Sequence, residues 1–303
     1  MRVSRAPYLL ALVLGILCWS TVPVFIRFLN QYLGNFSQNL FRYLAACALL
    51  WVLSLVLFRP RLALGRHLLG LLIPIGFMCC HQLLWVESIR LTSPTTASLL
   101  TQFQIVIVGL LAWIFFPAER KAIRSPRFLA GTALALVGVA GFILSSGGDL
   151  RGSAFGFCVV LLTAAAWSAY TISVKATIRG IHPVVAFTYV STGVLVFFLV
   201  STPVMDHPGV VLAVPGSVQV ALVVSGILGI ALAHVFFYTA LSHLSAPVCG
   251  TALLLVPLLT GTWSFLIFQE TLRPAQVPFG ILLLAGSALT LTRTEIPVEG
   301  PPD

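Results

Sequence analysis

Two histidines in long apolar runs carry the first hint of chemistry. His81 is followed one helical turn on by Trp85, and His234 likewise by Tyr238. On a helix His81, Trp85 and Ser88 share one face, and His234, Tyr238 and Leu241 mirror them. Imidazole is the side chain whose ordinary charge change falls near neutral pH, so a pair of such faces reads as the lining of a polar cavity that could also handle protons. The alternative reading is a neutral histidine bonded to a carbonyl of a neighbouring helix. The spacing fits neither a metal site nor a hydrolase: there is no HExxH, and outside the C-terminal tail the only aspartates are Asp149 and Asp206, both between apolar runs. The six cysteines all lie within apolar runs and read as small buried hydrophobes.

A second set of candidates lies in the stretch that begins at Pro94. Ser98 and Gln102 share one helical face, and Thr101 and Gln104 the adjacent one. These groups could bond a substrate's amide, amino or carboxylate groups, or bond helix to helix. Trp19, Trp167 and Tyr170 fall in mid-run rather than at run ends, where interfacial aromatics would lie, and so are candidates for a cavity wall. Arg42 falls about five residues into an apolar run, and arginine cannot shed its proton. It has three open roles: snorkelling to lipid headgroups, pairing with Glu87, or binding an anionic substrate group. Arg27 and Lys175 end their runs as anchors, Glu87 and Arg90 make a local pair, and Glu119 and Glu270 close theirs beside Arg120 and Arg273.

The elements that must hold these residues follow from composition. Of 303 residues, 59% are hydrophobic and 8% charged, against about 25% charged in a soluble domain. Such a chain needs an apolar solvent and is predicted to be an all-α integral membrane protein whose bulk partner is the lipid bilayer. A spanning helix takes about 20 residues, and ten fit, over 8–27, 37–58, 67–89, 94–117, 127–145, 152–174, 183–203, 217–241, 246–268 and 275–292. The first run resembles a signal peptide but lacks a small-x-small cleavage site, and is read as the first span. The net charge of +9 does not indicate nucleic acid, because the basic residues sit mostly at span ends. With the N-terminus inside, the inner connections hold Arg59, Arg61, Arg66, Arg120, Lys121, Arg124, Arg127 and others, and the outer ones only Arg27, Arg90, Arg151 and Arg273. The positive-inside rule then predicts cytoplasmic termini in a plasma (inner) membrane.

The chain also repeats itself. HQLLWVESIRLTSPTTASLLTQFQ is echoed by HVFFYTALSHLSAPVCGTALLLVP, each running on to a Glu, Glu119 or Glu270. His81 and Pro94 are separated from His234 and Pro247 by the same offset, and Trp19-Ser20 and Arg27 from Trp167-Ser168 and Lys175 by another. Five spans per half is an odd number, so the second half enters the membrane upside down. The reversed charge bias of its connections agrees, since only Arg273 stands where the first half has a basic cluster.

At these residues the chain resembles the EamA family of the drug/metabolite transporter superfamily, over nearly all its length. The marks are Trp-Ser with Arg27 or Lys175, Arg42-Tyr43, the two proline-led stretches, the two glutamates and a glycine-rich fifth helix in each half. Two positions depart from the family's pattern. Gln104 stands where the fourth helix usually has proline, as Pro257 does in the second half. Ala118-Glu119 and Gln269-Glu270 stand for the usual Gly-Glu. The resemblance implies two inverted five-helix repeats, here 8–145 and 152–292, around a central cavity, and transport of small metabolites, often export.

The resulting expectation is a secondary transporter, not an enzyme, needing no cofactor or metal. Its substrate-binding candidates are Trp19, Arg42, His81, Trp85, Ser98, Thr101, Gln102, Gln104, Trp167, Tyr170, His234 and Tyr238. Amino acids or related compounds are the first guess for the cargo, by alternating access between the halves. No GxxxxGK[ST] loop suggests ATP use. Proton coupling and uncoupled export both stay open, as do a monomer and a homodimer. The rivals are a membrane receptor or assembly protein without flux, and an intramembrane enzyme acting on lipid-linked substrates.

Overall fold

The computed structural model describes residues 5–58, 68–117, 120, 124–145, 150–177, 182–241, 244 and 246–290. Among the described residues every regular element is a helix. Eight helices are long and apolar enough to cross a membrane, and the apolar stretches Val256–Phe268 and Pro274–Thr290 are shorter.

The first half holds α1 (Ala6–Leu29), α2 (Asn35–Leu53, prolonged by a π-helical turn over Ser54–Phe58), α3 (Leu68–Leu91), α4 (Pro94–Thr101), α5 (Gln104–Phe115) and α6 (Pro126–Leu144). The second holds α7 (Leu150–Thr177), α8 (Pro183–Met205), α9 (Gly216–Gly226), α10 (Ala233–Leu241), α11 (Ala246–Leu253), α12 (Val256–Phe268) and α13 (Val277–Thr290). Serine-proline pairs start two of them: Ser93 and Ser125 accept from the amides of Thr96 and Phe128, and the following prolines occupy first-turn positions where no amide donor is needed.

The continuous spans expected at 94–117 and 246–268 are each broken near the middle. Between α11 and α12 the break falls at Leu254–Leu255, and Pro257 accounts for it, because its ring removes a donor and crowds the preceding turn. Between α4 and α5 the chain breaks without a proline. There Gln102 and Phe103 bond back three residues rather than four, to Leu99 and Leu100. A third irregularity is the π-helical turn Ile227–Leu232 that joins α9 to α10.

The halves interlock reciprocally. α3 packs on α7 as α10 packs on α1, α5 meets α7 as α12 meets α1, and α2 meets α8, α4 meets α12 and α6 meets α13. The α6–α13 contact is the most extensive and explains the small-residue faces in the sequence. A methyl at Gly138 would lie 2.5 Å from the Leu283 amide nitrogen, and one at Gly131 2.7 Å from the Gly286 carbonyl. Helix packing in lipid lacks a hydrophobic drive and relies on such close approach.

Candidate functional site

Seven of the twelve candidates converge where α1, α3, α7 and α10 cross. His81 lies at the midpoint of its span, Gly70–Leu91. Its ring is 6.3 Å from Trp85 and nearly parallel to it, and 4.9 Å from Trp167. Trp167 also lies 6.2 Å from His234 and 5.4 Å from Tyr170. His234 in turn meets Trp19 edge-on at 5.1 Å and Tyr238 at 6.1 Å. The two histidines, one from each half, thus gather round one tryptophan.

The tautomers follow from the partners. His81 Nδ1 is 3.2 Å from the Thr163 carbonyl and His234 Nδ1 2.8 Å from the Ile230 carbonyl. A carbonyl only accepts, so both Nδ1 atoms carry hydrogen, and in the neutral rings Nε2 is left as an acceptor. His234 Nε2 is buried with no hydrogen-bond partner among the described residues. The Ile230 carbonyl belongs to the π-helical turn, where the usual spacing of backbone bonds is interrupted.

Sequence reasoning missed Phe187 of α8. Its ring lies 3.9 Å from His234, within 12° of parallel, and it packs on Tyr238 at 6.1 Å. A phenylalanine in an apolar run carries no mark that separates it from packing.

The remaining candidates lie elsewhere. Ser98 and Thr101 are buried but engaged: Ser98 donates to Thr260 at 3.5 Å, and Thr101 to its own helix at Ala97. Gln102 sits at the α4–α5 break with its Oε1 buried and unpartnered. Gln104 opens α5, and its carbonyl accepts from Ser168 of α7. Two grooves open away from the aromatic cluster. One, of about 480 Å³, runs along α12 and α13 past Thr95 and Glu270. The other, of about 350 Å³, lies between α1 and α12 beside Trp263. None of the twelve candidates lines either groove.

Arg42 does not snorkel. It is 1% exposed, inside α2, and its Nε and Nη1 have no hydrogen-bond partner among the described residues. Nor does it pair with Glu87, which binds Arg90 at 2.6 Å. Close packing holds it in place, since a methyl at Gly226 would run into the Arg42 carbonyl.

Arg27 is no simple anchor. Its Nε lies 3.2 Å from Glu270 Oε1, a bridge from the end of α1 to the end of α12. Glu270 also accepts from Ser264 at 2.8 Å. Gln269, at φ 56°, turns the chain left-handed so that the glutamate points back at its own helix. That conformation suits glycine better than a residue with a side chain. Behind this bridge a ladder of bonds continues inward. Trp263 donates to the Ser20 hydroxyl at 3.1 Å, and Thr260 to the Ser20 carbonyl at 3.0 Å. The sequence had placed Glu270 beside Arg273 instead. Glu119 and the Lys175 side chain lie outside what is described.

Asp206, a loop residue to the sequence analysis, ends α8 and caps α2. Its carboxylate accepts from the amides of Ser37 at 3.1 Å and His207 at 2.9 Å. Burial alone would raise its carboxyl, but these amide donors outweigh burial and hold it below the ordinary value. Gly34, just before α2, leaves room for it, because a methyl there would collide with the carboxylate.

Comparison with known proteins agrees with this architecture. A curated "Uncharacterized transporter" from Haemophilus influenzae is 24% identical over 283 residues, spanning 88% of this chain and 91% of that protein. A solved structure, titled only "Crystal structure of protein", superposes with a TM-score of 0.66 at 18% identity, covering 95% of this chain and 98% of that one; this likeness concerns the fold. The EamA-like transporter family matches twice, over residues 6–144 and 154–292. With both halves matched and the helices apolar enough for a bilayer, this chain is a multi-pass membrane protein belonging to the EamA-like transporter family.

Proposed function

We propose that the protein is a secondary exporter of small metabolites, with amino acids or related compounds as cargo. It works by alternating access between two inverted five-helix repeats, 8–145 and 152–292, in the plasma membrane, with both termini cytoplasmic. The observation that carries this reading is the composite cluster of Trp19, His81, Trp85, Trp167, Tyr170, His234 and Tyr238, to which both halves contribute. A seam built equally by two related halves is where rocking of one against the other exposes a site first to one side and then to the other.

The reciprocal packing of the halves supports a two-fold relation between them. With five spans in each, that relation requires opposite orientation in the bilayer. The breaks within both fourth helices support a site at mid-membrane depth, since non-helical backbone in lipid is tolerated where it borders protein or a wet cavity. At the break the Gln102 amide oxygen is buried without a hydrogen-bond partner among the described residues.

The test is counterflow in proteoliposomes holding the purified protein, with amino acids, amines and sugars as cargo. His81→Ala and Trp85→Ala should each cut flux at least tenfold while the protein remains folded and monodisperse. Full transport by both variants would remove the cluster from the pathway. A protein that moves none of these solutes but retains a protein partner on pull-down would favour the receptor reading.

A further inference from the structure

The aromatic cluster does not exhaust the buried polarity of this protein. A second concentration lies in the first two turns of α2 and on α3 beside it. Among the described residues Gln38 Oε1, Asn39 Oδ1 and Gln82 Oε1 are buried without a hydrogen-bond partner, as are Arg42 Nε and Nη1, while Tyr43 Oη meets the Gln82 side chain. Residues 38, 39 and 42 share a helical face, and 43 lies one turn beyond 39. Asn39 Nδ2 lies 3.5 Å from the Gln82 carbonyl, which joins α2 to α3 at this level.

The Gln38 and Asn39 amides are not free to turn over. Gln38 Nε2 donates to Asn30 Oδ1 at 2.7 Å and to the Leu33 carbonyl at 3.2 Å. Asn39 Nδ2 donates to the Asn35 side chain at 2.9 Å and to its carbonyl at 3.1 Å. These partners accept, so the nitrogens are assigned by the network and the oxygens are the ends left over. The site therefore offers a guanidinium with two open donors and, beside it, amide oxygens with open lone pairs.

The charge on Arg42 has no counterpart within the described residues. Glu87 is bound to Arg90, Glu270 to Arg27, and Asp206 to two backbone amides. Arginine stays charged at any relevant pH, and an unpaired charge within a membrane protein is costly enough that its retention signals function. Among the described residues neither set of groups has a partner.

Resting on the transporter reading above, we infer that this is the head-group site for an α-amino acid. The substrate carboxylate takes the donors of Arg42, and its ammonium faces the oxygens of Gln38 and Asn39. A guanidinium binds a carboxylate through two parallel bonds. Arg42 is also the one cation among the buried side chains described, which suits a single negative charge rather than a phosphate dianion. The side chain of the amino acid then runs toward the aromatic cluster. Tyr43 stands on the way, belonging to the same packed core as Tyr170, with Trp167 and Tyr238 against it.

The test uses the full-length protein in detergent and in proteoliposomes. Probes are the twenty L-amino acids, their carboxamides, the matching acids without the amino group, inorganic phosphate, sugars and polyamines. Thermal stabilisation and counterflow are read for each. The expected result is that one or more amino acids stabilise the wild type and exchange across the bilayer. The carboxamide and the des-amino acid of that compound should bind at least tenfold more weakly. Arg42→Lys should weaken the amino acid at least tenfold, and Arg42→Gln should abolish its effect.

Equal binding of acid and carboxamide by the wild type would overturn the assignment, and that comparison needs no variant. So would an Arg42→Lys protein with unchanged affinity, or stabilisation by phosphate as strong as by any amino acid. Flux of sugars or polyamines alone would sink the head-group site while leaving a transporter. Absence of flux and of stabilisation with every probe would sink both.

Discussion

Arg27 and Arg42 stand on neighbouring helices of the first half and are treated in opposite ways. Arg27 ends its helix, stays partly exposed and meets Glu270 across the seam between the halves. Arg42 is enclosed by α2 and its neighbours and meets no carboxylate among the described residues. A charge with a partner can be explained by the fold alone. A charge without one is a standing cost that the fold does not recover, and so it points beyond the fold to what the protein handles.

The sharpest way to break this contrast is Arg42→Met. Removing a buried charge that has no partner should leave thermal stability unchanged or raise it by about 1–4 kcal/mol, by analogy with buried ion groups replaced by apolar residues of similar volume. Transport should fall to background in the same protein. A large loss of stability would mean that Arg42 is structural after all, and would put it in the same class as Arg27.

Asp206 offers the next test, because it is a charge whose role is local and structural. Asp206→Asn weakens the cap on α2 and should cost about 1–2 kcal/mol, read as a lower melting temperature. The native carboxyl is held below its ordinary value, so its stabilising effect is complete above the unfolded-state value of about 3.9 and fades as pH falls through the lower folded one. Wild type and variant should therefore differ at neutral pH and converge in strong acid.

Gln269→Gly sharpens the other side of the comparison. A left-handed backbone costs a side-chain-bearing residue more than glycine, so the change should stabilise the protein by about 0.5–1 kcal/mol, after allowing for the greater freedom of glycine when unfolded. The bridge that this turn positions should count for less. A double-mutant cycle on Arg27→Ala and Glu270→Gln should give a coupling of about 0.5 kcal/mol, since both groups are partly exposed.

Much of the architecture can be read from the sequence, for a physical reason. In lipid a helix must satisfy its own backbone, so long apolar runs with prolines at their edges have few other choices. Trp19, Trp167 and the two histidines stand out because a polar or bulky residue repeats at matching places in both halves. Contacts that depend on two helices at once are a different matter. The meeting of Arg27 with Glu270 cannot be told from a pairing of Glu270 with Arg273 until the helix ends are placed. Gln38 and Asn39 look like ordinary residues near a span end and Gln82 like a lone polar residue in mid-span, and only their shared burial with Arg42 sets them apart. The kink at Gln102 has no proline to announce it, and a π-helical turn such as Ile227–Leu232 leaves no compositional trace.

Where α6 crosses α13, main chain rests on main chain. A methyl at Gly286 would collide with the Ala135 amide, and the Gly131 carbonyl is 2.7 Å from the same imaginary carbon. Surfaces this bare have no long side chains to yield or re-seat when strain arrives. In the alternating access proposed above, such a crossing would serve like the pin of a pair of scissors, with relative movement of the two halves taken up as a turn about it and the largest travel at the far ends. Added bulk at Gly131, Gly138 or Gly286 would then change how freely the blades swing before it changed what they grip.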